Sequence, residues 1–586
     1  VAVFGGSGFV GDYIINELYE NGITTYFVVT GGAIVPFINS IEKHHGAQYY
    51  CFQHEQSAAM AAEGYYRSCG KIAAVCTTSG PGVQNILNGV CGCWYDSIPA
   101  FFIAGQVNKK EDLTNFTSKP RQTGFQEMPV VDMFKSVTKK AIHVKNVDSV
   151  VPSLKTLLDR VYEARYGPVL MDLPVNIQMS DMPREEKLQV LKALDARSLA
   201  GGLICARWRR HLPRPLAPTP VHIDCYNSKR PLLIFGHGVK LASSGDIAVR
   251  FAEKYNIPFL VSWGAFDICE TDHPLRMGSP GVYGDRWANY AIQNADLLIS
   301  VGSRLDSRQI GGNTKTFSNY SKKIMVDIDE NELNNMSEKG VYIDKCINKC
   351  ARRFLDDSVL ENLNQDGNWV STLNEWKDKY SKESSREGDS AVYDFLDTFF
   401  DEIPDDCIVI PDQGGNLVWT MQSAKLKPGQ KLFTNFGNSS MGFALPAAIG
   451  AAIGSGKKVY CIDGDGGFQM NIQELLTVKK YNLPIEIIIL NNSGYGIIKQ
   501  FQDSYFDSRY IATSQTDVFG DRVDFEAIAK AYGVKTLHDI PIPETQKIYP
   551  KLEFGNSLEN MTPYIDFEED MIVPVPPKRK LGWVNN

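Results

Sequence analysis

The fold of this protein is decided by the stretch Lys458–Tyr495, KVYCIDGDGGFQMNIQELLTVKKYNLPIEIIILNNSGY, in which two apolar runs flank a helical pattern. Small polar residues end each run: Gly464-Asp465-Gly466-Gly467 follows the first, and Asn491-Asn492 follows the second. The separation of Asp465 and Asn492, 492 minus 465 or 27 residues, corresponds to one strand–helix–strand unit. In a parallel sheet both polar groups then lie at the carboxyl ends of neighbouring strands, where open α/β sheets bind their ligands.

The same alternation of short apolar strands and helical patterns occurs three times along the chain. We therefore predict an α/β fold of three consecutive domains, each with an open parallel sheet, over residues 1–184, 185–375 and 376–586. The boundaries fall in the polar stretches PREEKLQ and NEWKDKYSKESSREGDS. The predicted strands are Tyr26–Val29, Ile72–Cys76, Ala100–Ile103, Leu232–Phe235, Leu297–Val301, Lys323–Val326, Cys407–Ile410, Lys458–Ile462 and Ile485–Leu490.

Composition restricts the class of partner. The 586 residues carry a net charge of −8, with 43% hydrophobic and 22% charged residues, which is ordinary for a globular protein. A nucleic-acid or anionic-membrane partner would require a large basic surface, so we expect a small-molecule substrate. No run reaches the roughly 20 apolar residues that cross a bilayer, and the start lacks the basic region of a signal peptide. These features predict a cytoplasmic protein with reduced cysteines.

Two stretches have more than one interpretation. Gly5-Gly-Ser-Gly8-Phe-Val-Gly11 matches a glycine-rich turn that binds a dinucleotide, but strand Tyr26–Val29 ends without the acidic residue that would hold a ribose. We interpret it as the glycine-rich start of the first helix, with dinucleotide binding as the alternative. The Arg- and Pro-rich stretch Ala200–Pro220 is interpreted as an interdomain linker, with a basic partner site as the alternative.

The polar groups of the third block have the oxygen chemistry of a magnesium site. Mg²⁺ prefers octahedral oxygen ligands, often one or two from the protein and the others from phosphate and water. The Asp465 carboxylate, the Asn492 side-chain oxygen and the Gly494 main-chain oxygen can supply three. The neighbouring glycines let the backbone approach a diphosphate closely. The alternative is two unrelated turns, because Asp-Gly and Asn-Ser-Gly are common turn sequences.

At this spacing the pattern resembles the thiamine diphosphate motif, GDG followed after a helix and a strand by NN. The resemblance to thiamine-diphosphate-dependent enzymes of the acetolactate synthase type extends from Asp12 to about Gly533. It implies thiamine diphosphate and Mg²⁺ as cofactors. Met441 takes the place of the apolar residue that props the cofactor into its bent form, with an ordinary core methionine as the alternative. The other residues implied at this end of the cofactor are Gly415, Asn416, Ser439, Gly464, Asp465, Gly466, Gly467, Asn492, Gly494, Tyr495, Gly496 and Ile497.

The resemblance places the other end of the cofactor in the first block. Glu55 matches the family's essential glutamate, which would hydrogen-bond the aminopyrimidine ring and share a proton with it. The alternative is an ordinary acidic residue in the first turn of a helix. The further cofactor contacts implied in this block are Pro81 and Asn85. The residues implied to line the substrate pocket are Gly32, Phe125 and Gln126.

Segments of the middle block resemble the flavin-binding segments of acetolactate synthases, which implies FAD as a further cofactor. The residues concerned are Gly236, Gly238, Gly302, Arg304 and Asp327. The alternative is the same fold without a flavin.

The resemblance implies decarboxylation of a 2-keto acid, most simply pyruvate, and transfer of the two-carbon unit to a second carbonyl. In this family the pyrimidine and diphosphate ends of the cofactor are held by different chains. The resemblance therefore also implies at least a homodimer, or a homotetramer.

Three functional hypotheses follow. The first is an acetolactate-forming enzyme. The second is a carboligase whose acceptor is a nucleotide-linked keto-deoxysugar, as in relatives from surface-sugar pathways, because NNSGYGIIKQF replaces the NNQHLGM of the branched-chain synthases. Arg286 or Lys499 would suit the phosphates of such an acceptor. The third is a non-catalytic paralogue that serves as a subunit or binding module, against which the retention of Glu55, Asp465 and Asn492 argues.

Overall fold

Three parallel sheets follow one another along the chain in the computed structural model, which describes residues 9–111, 117–118, 120–182, 220–381, 390–567 and 570–574. The predicted fold class, α/β with consecutive open parallel sheets, is therefore confirmed. Gly5, Gly8 and the stretch from Ala200 to residue 219 lie outside the described residues.

The first block is built on six strands with helices packed on both faces. The strands are β1 Thr25–Val28, β2 Gln48–Cys51, β3 Ala73–Thr77, β4 Phe101–Gln106, β5 Lys140–His143 and β6 Val169–Pro174. Their order is β2-β1-β3-β4-β6-β5, and every neighbouring pair is parallel. β1, β3, β4 and β6 are buried along their whole length, which explains their continuous apolar sequences. The helices are Val10–Glu20, Val35–Lys43, Glu55–Cys69, Pro81–Asn85, Leu87–Tyr95, Val130–Phe134, Val150–Tyr162 and Val175–Gln178.

The middle block has a five-stranded sheet and a separate pair of strands. The strands are β7 Val221–Asp224, β8 Pro231–Phe235, β9 Phe259–Val261, β10 Leu297–Val301, β11 Lys322–Asp327, β12 Lys345–Asn348 and β13 Ser358–Glu361. The main order is β12-β11-β10-β8-β9, and β13 pairs with β7. The helices are His237–Leu241, Gly245–Tyr255, Arg286–Asn294, Ser307–Ile310, Glu330–Glu338, Ala351–Asp357 and Trp369–Tyr380. The last helix crosses position 375, where the sequence placed a domain boundary, and packs on helix Arg286–Asn294.

The third block repeats the parallel architecture. Its strands are β14 Cys407–Pro411, β15 Lys431–Leu432, β16 Lys458–Gly464, β17 Ile485–Asn491 and β18 Leu537–Pro541. Their order is β15-β14-β16-β17-β18. The helices are Ala391–Glu402, Gly415–Ser423, Ala444–Ser455, Asp465–Gln469, Leu475–Lys480, Gly496–Tyr505, Gln515–Val518 and Phe525–Tyr532. β16 and β17 are neighbours, so the two halves of the decisive motif lie side by side as predicted.

The first and third blocks meet through two small-residue helices, Glu55–Cys69 and Ala444–Ser455. A side chain on Gly64 would overlap the backbone of Ala447, and one on Gly450 would overlap the backbone of Ala61. Both glycines are therefore needed for the helices to approach this closely. One apolar core, which includes residues of both blocks, continues across this contact.

The end of the described chain packs on the middle block. Its short strands β19 Lys551–Leu552 and β20 Met561–Thr562 form an antiparallel pair. The buried Arg286 guanidinium donates to the carbonyl oxygens of Met561 (3.2 Å) and Pro563 (2.7 Å). Within the described ranges, no helix has the length and apolar character that a membrane span requires.

Candidate functional site

Asp465 ties the ends of the two central strands of the third block together. Its carboxylate accepts hydrogen bonds from the backbone N–H of Gly466 (2.7 Å) and, across the strands, from that of Gly494 (3.0 Å). The side chain is 3% exposed, and burial raises its pKa to about 6. The structure thus brings two of the three predicted magnesium ligands together.

Asn492, the third predicted ligand, lies beside this pair. A side chain on Gly496 would overlap its amide, so Gly496 is small where the loop turns back over Asn492. A carboxylate, a side-chain amide and a backbone carbonyl make an all-oxygen donor set, which is the chemistry that Mg²⁺ selects. The residues present therefore fit the ion.

The glycines of the GDGG stretch are surrounded by the other predicted cofactor residues. A Cβ on Gly466 would overlap the Tyr495 ring and lie 3.3 Å from the Met441 methyl group. A Cβ on Gly464 would lie 3.1 Å from the Asn416 amide nitrogen. The Asn416 side-chain oxygen is buried and has no hydrogen-bond partner in the part of the chain that the structure describes. An orphaned acceptor at this position fits a ligand that brings a cation or a hydrogen-bond donor, such as the metal of a bound diphosphate.

Gly467 is small for a different reason. A Cβ there would overlap the carboxyl groups of Asp412 and Asp463, which are both buried. Asp412 accepts from the backbone N–H of Gly442 (2.9 Å) and Ala444 (3.0 Å), and burial raises its pKa to about 6. Burial and the Asp412 carboxylate raise the pKa of Asp463 well above its usual value. Asp412 thereby fixes the turn that follows Met441, and Asp463 accepts from the backbone N–H of Gly464.

The loop that carries Ser439 and Met441 is held by polar contacts within its own block. The Asn435 side-chain oxygen accepts from the backbone N–H of Asn438 (3.0 Å) and Ser439 (3.1 Å). The Ser439 hydroxyl donates to the Gln413 side chain (2.8 Å). Ser439 has a positive φ of 54°, so these contacts stabilise a backbone conformation that is rare for serine.

The predicted residues of the first block also form a group. The Asn85 amide donates to the Glu55 carboxylate (2.9 Å), and a Cβ on Gly82 would lie 3.4 Å from the same carboxylate. Pro81 is the first residue of helix Pro81–Asn85, directly after Gly80, which has a φ of 61°. A Cβ on Gly80 would lie 2.8 Å from the Gln126 side chain. Glu55, Asn85 and Gln126 therefore border one small, glycine-lined region.

Two of the predicted pocket residues face open space in the single chain. The Phe125 side chain is 84% exposed, and no atom lies within 4 Å of where a Cβ on Gly32 would be. The turn that presents Phe125 is nevertheless ordered, because the Glu127 carboxylate accepts from the backbone N–H of Thr123 (2.9 Å) and Gly124 (3.0 Å). An exposed aromatic ring on a fixed turn is typical of a surface that a substrate or another chain covers.

Within one chain, no hydrogen bond or ion pair joins Glu55 to Asp465 or Asn492 among the described residues. The first block instead contacts Asn438 and Ser440 of the loop that carries Met441. Asn88 accepts from the Asn438 amide (2.8 Å) and the Ser440 hydroxyl (2.6 Å). These contacts connect the blocks, and they involve neither Glu55 nor Asp465.

A buried ionic cluster completes this contact. Asp96 accepts from the backbone N–H of Phe436 (2.9 Å) and Gly437 (2.8 Å), at the start of the same loop. Arg67 bridges Asp96 (2.6 Å) and Glu63 (2.7 Å). Burial raises the pKa of Glu63 to about 7. These residues could not be found from the sequence, because each is an isolated charge there and only the fold places them together.

The residues predicted to bind a flavin gather in one cleft of the middle block. Gly238, Gly302, Arg304 and Asp327 line it, and Gly236 abuts Gly302 so closely that a Cβ would overlap its carbonyl. The enclosed volume is about 110 Å³, so a group as large as FAD would lie mainly along an open groove. The glycine-to-glycine packing and the adjacent Arg304 fit a group that carries phosphates.

The two basic residues suggested for an acceptor phosphate are both already engaged. Arg286 is buried and holds the end of the chain through Met561 and Pro563, so the expectation that it faces the pocket is wrong. The Lys499 ammonium pairs with Glu544 (2.8 Å) and lies 3.2 Å from where a Cβ on Gly494 would be. Its charge is therefore placed beside the predicted metal site and is largely neutralised there.

Comparison with known families defines the class of this protein. Models of the thiamine pyrophosphate enzymes match all three blocks: the N-terminal TPP binding domain over residues 9–133, the central domain over 225–353, and the C-terminal TPP binding domain over 412–553. The three blocks are thus the three domains of a thiamine-diphosphate-dependent enzyme.

Similar proteins narrow the class to one family. The acetolactate synthase isozyme 2 large subunit of Escherichia coli K12 is 31% identical over 530 residues, which cover 90% of each chain. The Lactococcus lactis acetolactate synthase large subunit is 29% identical over 531 residues, 89% of this chain and 86% of that protein. The chloroplastic acetolactate synthase of Arabidopsis thaliana is 30% identical over 508 residues, 84% of this chain and 72% of that protein.

The chain therefore belongs to the acetolactate synthase family of thiamine-diphosphate-dependent enzymes, which confirms the resemblance found in the sequence. It is an enzyme of the decarboxylating and carbon–carbon bond-forming type that the sequence predicts.

Proposed function

We propose that this enzyme decarboxylates pyruvate and joins the two-carbon unit to a second carbonyl compound, with Glu55, Asp465, Asn492 and Gly494 as its principal site residues. One observation carries the assignment of roles. The Asp465 carboxylate accepts from the backbone N–H of Gly466 and, across neighbouring strands, from that of Gly494, which supports a shared site at the two strand ends. Asn85 separately orients Glu55 at the start of a helix in the first block.

Magnesium and the diphosphate would be held by the third block. Asp465, Asn492 and the Gly494 carbonyl supply ion ligands, and Gly415, Asn416, Gly464, Gly466, Gly467 and Ser439 border the diphosphate. When bound, thiamine diphosphate supplies the electron sink for decarboxylation. Met441 and Tyr495, which lie against Gly466, would pack against the bound cofactor, and Gly496 and Ile497 would lie next to it.

Glu55 would move a proton at the pyrimidine end. Its carboxyl group, held by the Asn85 amide, is placed to exchange a proton with a ring nitrogen of the bound cofactor. Pro81 shapes the turn beside it. Gly32, Phe125 and Gln126 would orient the 2-keto acid and exclude water from the reacting atoms.

FAD would occupy the cleft of Gly236, Gly238, Gly302, Arg304 and Asp327, a proposal supported by the gathering of all five residues. The expected result is a yellow purified protein whose flavin absorbance disappears in Gly302→Val. A colourless enzyme with full activity would contradict this part of the proposal.

The acceptor is proposed to be a 2-keto acid. The alternative acceptor, a nucleotide-linked keto-deoxysugar, loses one of its two proposed phosphate contacts because Arg286 is buried against the chain end. The test incubates the enzyme with pyruvate, thiamine diphosphate and Mg²⁺, then measures carbon dioxide and condensed product with and without each acceptor. Acetolactate from pyruvate alone supports the proposal, turnover that requires a keto-sugar supports the alternative, and no cofactor-dependent turnover contradicts both.

The smallest active species is proposed to be a homodimer, or a homotetramer built from such dimers. The support is that no hydrogen bond or ion pair joins Glu55 to Asp465 or Asn492 among the described residues, and that the Phe125 side chain is exposed. We also propose that the enzyme acts as a soluble protein in the cytoplasm. Light scattering during turnover would test the oligomeric state, since an active monomer is incompatible with a site shared between chains.

A further inference from the structure

A cavity of about 160 Å³ lies at the seam between the middle and third blocks. It would hold about five water molecules at liquid density. The middle block lines it with Arg276, Asp285, Trp287 and Lys377, and the third block closes it with residues that include Met421 and Pro550. None of the residues assigned above to thiamine diphosphate, Mg²⁺ or FAD lines this cavity. We refer to it below as the seam cavity.

The most unusual residue of the seam cavity is Arg276, whose side chain is almost fully buried. One nitrogen, Nη1, donates to the carbonyl oxygens of Cys269 (2.8 Å) and Glu270 (3.3 Å). Nε and Nη2 are buried and have no hydrogen-bond partner in the ranges that the structure describes. The Phe266 ring, 4.4 Å from the guanidinium carbon, contacts the flat face of the group and leaves the edge donors unsatisfied.

The other donors around the seam cavity are also incompletely used. The Trp287 indole N–H is buried without a partner among the described residues. The Lys377 ammonium reaches one acceptor in those residues, the Arg276 carbonyl, at a long 3.5 Å. Burial lowers the pKa of Lys377.

Neighbouring carboxylates do not satisfy these donors. Asp285 is the acidic residue that lines the cavity, and it accepts from the backbone N–H of Ser279 (2.8 Å). Asp267, another carboxylate that acts on Arg276, pairs with Lys240 (2.5 Å). Three cationic side chains, Arg276, Lys377 and Lys425, thus line the cavity against one carboxyl group. Lys425 pairs with Asp401 outside it. A buried guanidinium with unmet donors is costly.

The geometry points to a binding site for a small oxyanion, a carboxylate or phosphate group, in the seam cavity. An acceptor-only anion would complete the edge of Arg276, the Trp287 N–H and the Lys377 ammonium at once, and would balance the excess positive charge. Since the cavity lies between two blocks that both contribute walls, the bound anion would also stabilise their relative position. The site is independent of the proposed catalytic function.

The test is calorimetric titration of the enzyme saturated with thiamine diphosphate and Mg²⁺, so that the cofactor site does not compete for the probe. Inorganic phosphate is titrated in one arm and acetate in the other, which separates the two oxyanion chemistries. We expect saturable binding of at least one probe with a Kd of about 1 mM. The absence of saturable binding of either probe would overturn the proposal.

Variants locate the binding. Trp287→Phe removes one N–H donor while it keeps an aromatic ring, and Lys377→Met removes one charge at similar length. We expect Lys377→Met to weaken binding by about tenfold and Trp287→Phe by a few-fold, as is usual for charged and neutral hydrogen bonds. The matched control is Arg250→Gln, which breaks an exposed pair with Asp246 elsewhere in the middle block. Equal affinity in all four proteins, parent included, would overturn the assignment to the seam cavity, even if every variant folds.

Discussion

The two halves of the proposed cofactor site differ in how completely one chain builds them. In the third block, Asp465 is buried and its carboxylate already accepts two backbone N–H groups, and Met441 and Tyr495 pack around Gly466. In the first block, Glu55 is partly exposed with one side-chain partner, Asn85, and Phe125 faces open space. The proposed metal and diphosphate end is thus packed within one chain, whereas the proposed pyrimidine and substrate end leaves the Phe125 ring open to a further surface.

The largest effect is expected at the proposed metal and diphosphate end, in the third block. Asp465→Asn removes a negative ligand and weakens the strand-to-strand link to Gly494, so cofactor and Mg²⁺ affinity should fall by about 100-fold or more and turnover should be lost. Calorimetric titration with thiamine diphosphate and Mg²⁺ measures this. Asp405→Asn, an exposed position in the same block, is the control. Parent-like Mg²⁺ affinity in Asp465→Asn would contradict the assignment.

The next effect distinguishes a loss of turnover from a loss of cofactor binding at the proposed pyrimidine end, in the first block. Glu55→Gln keeps the shape and loses the acid, so kcat should fall by about 10²- to 10⁴-fold while cofactor affinity changes little. Steady-state kinetics at saturating cofactor and calorimetry measure the two quantities. Glu361→Gln, on an exposed edge strand of the middle block, should change neither. An unchanged kcat in Glu55→Gln would remove the proposed role of Glu55.

A smaller effect is expected from the buried cluster of Glu63, Arg67 and Asp96, which contacts the start of the loop that carries Met441. Asp96→Asn weakens the bonds to the backbone N–H groups of Phe436 and Gly437 and leaves Arg67 with one carboxylate. The loop of Met441 should then be less well positioned. We expect an approximately tenfold weaker affinity for thiamine diphosphate, with kcat at saturation within about threefold of the parent.

The control for this variant is Asp132→Asn, whose exposed pair with Lys135 lies in the same block. If Asp96→Asn lowers the melting temperature and leaves the cofactor affinity unchanged, the cluster stabilises the domain contact and does not position the loop.

The smallest effect is expected at the exposed ring of Phe125, in the first block. Phe125→Ala should leave the folding stability unchanged, because the side chain buries little area within its own chain. It should raise KM for the 2-keto acid by about threefold to tenfold, which corresponds to lost apolar contact in a pocket that another surface completes. An unchanged KM would indicate that Phe125 lies outside the pocket.

Local patterns in the sequence predicted the parallel sheets well. β10 matches Leu297–Val301, and the predicted strands at 407, 458 and 485 each extend by one or two residues in the structure. These strands were predictable because burial on both faces gives continuous apolar runs bounded by turn residues. The grouping of Asp465 with Gly494 was predictable because consecutive parallel strands end at the same edge of the sheet.

Contacts between distant segments were not predictable in this way. Asp96 is separated by 340 residues from Phe436, to which it bonds, and Arg286 by 275 residues from Met561. No local periodicity records such pairs. The expectation for Arg286 was wrong for this reason: its charge suggested a contact with an acceptor phosphate, while in the fold its guanidinium binds the carbonyl oxygens of Met561 and Pro563. The domain boundaries remain predictions. The boundary at position 375 falls inside helix Trp369–Tyr380, which continues through it.

The most direct test of the account asks whether Glu55 and Asp465 act on one cofactor from different chains. Glu55→Gln and Asp465→Asn chains, each inactive alone, are co-expressed with two different affinity tags, and the hybrid is purified through both. In a symmetric dimer with shared sites, one site of the hybrid combines two intact halves, so we expect about half of the parent activity per dimer. A hybrid as inactive as its two parents would contradict the central claim.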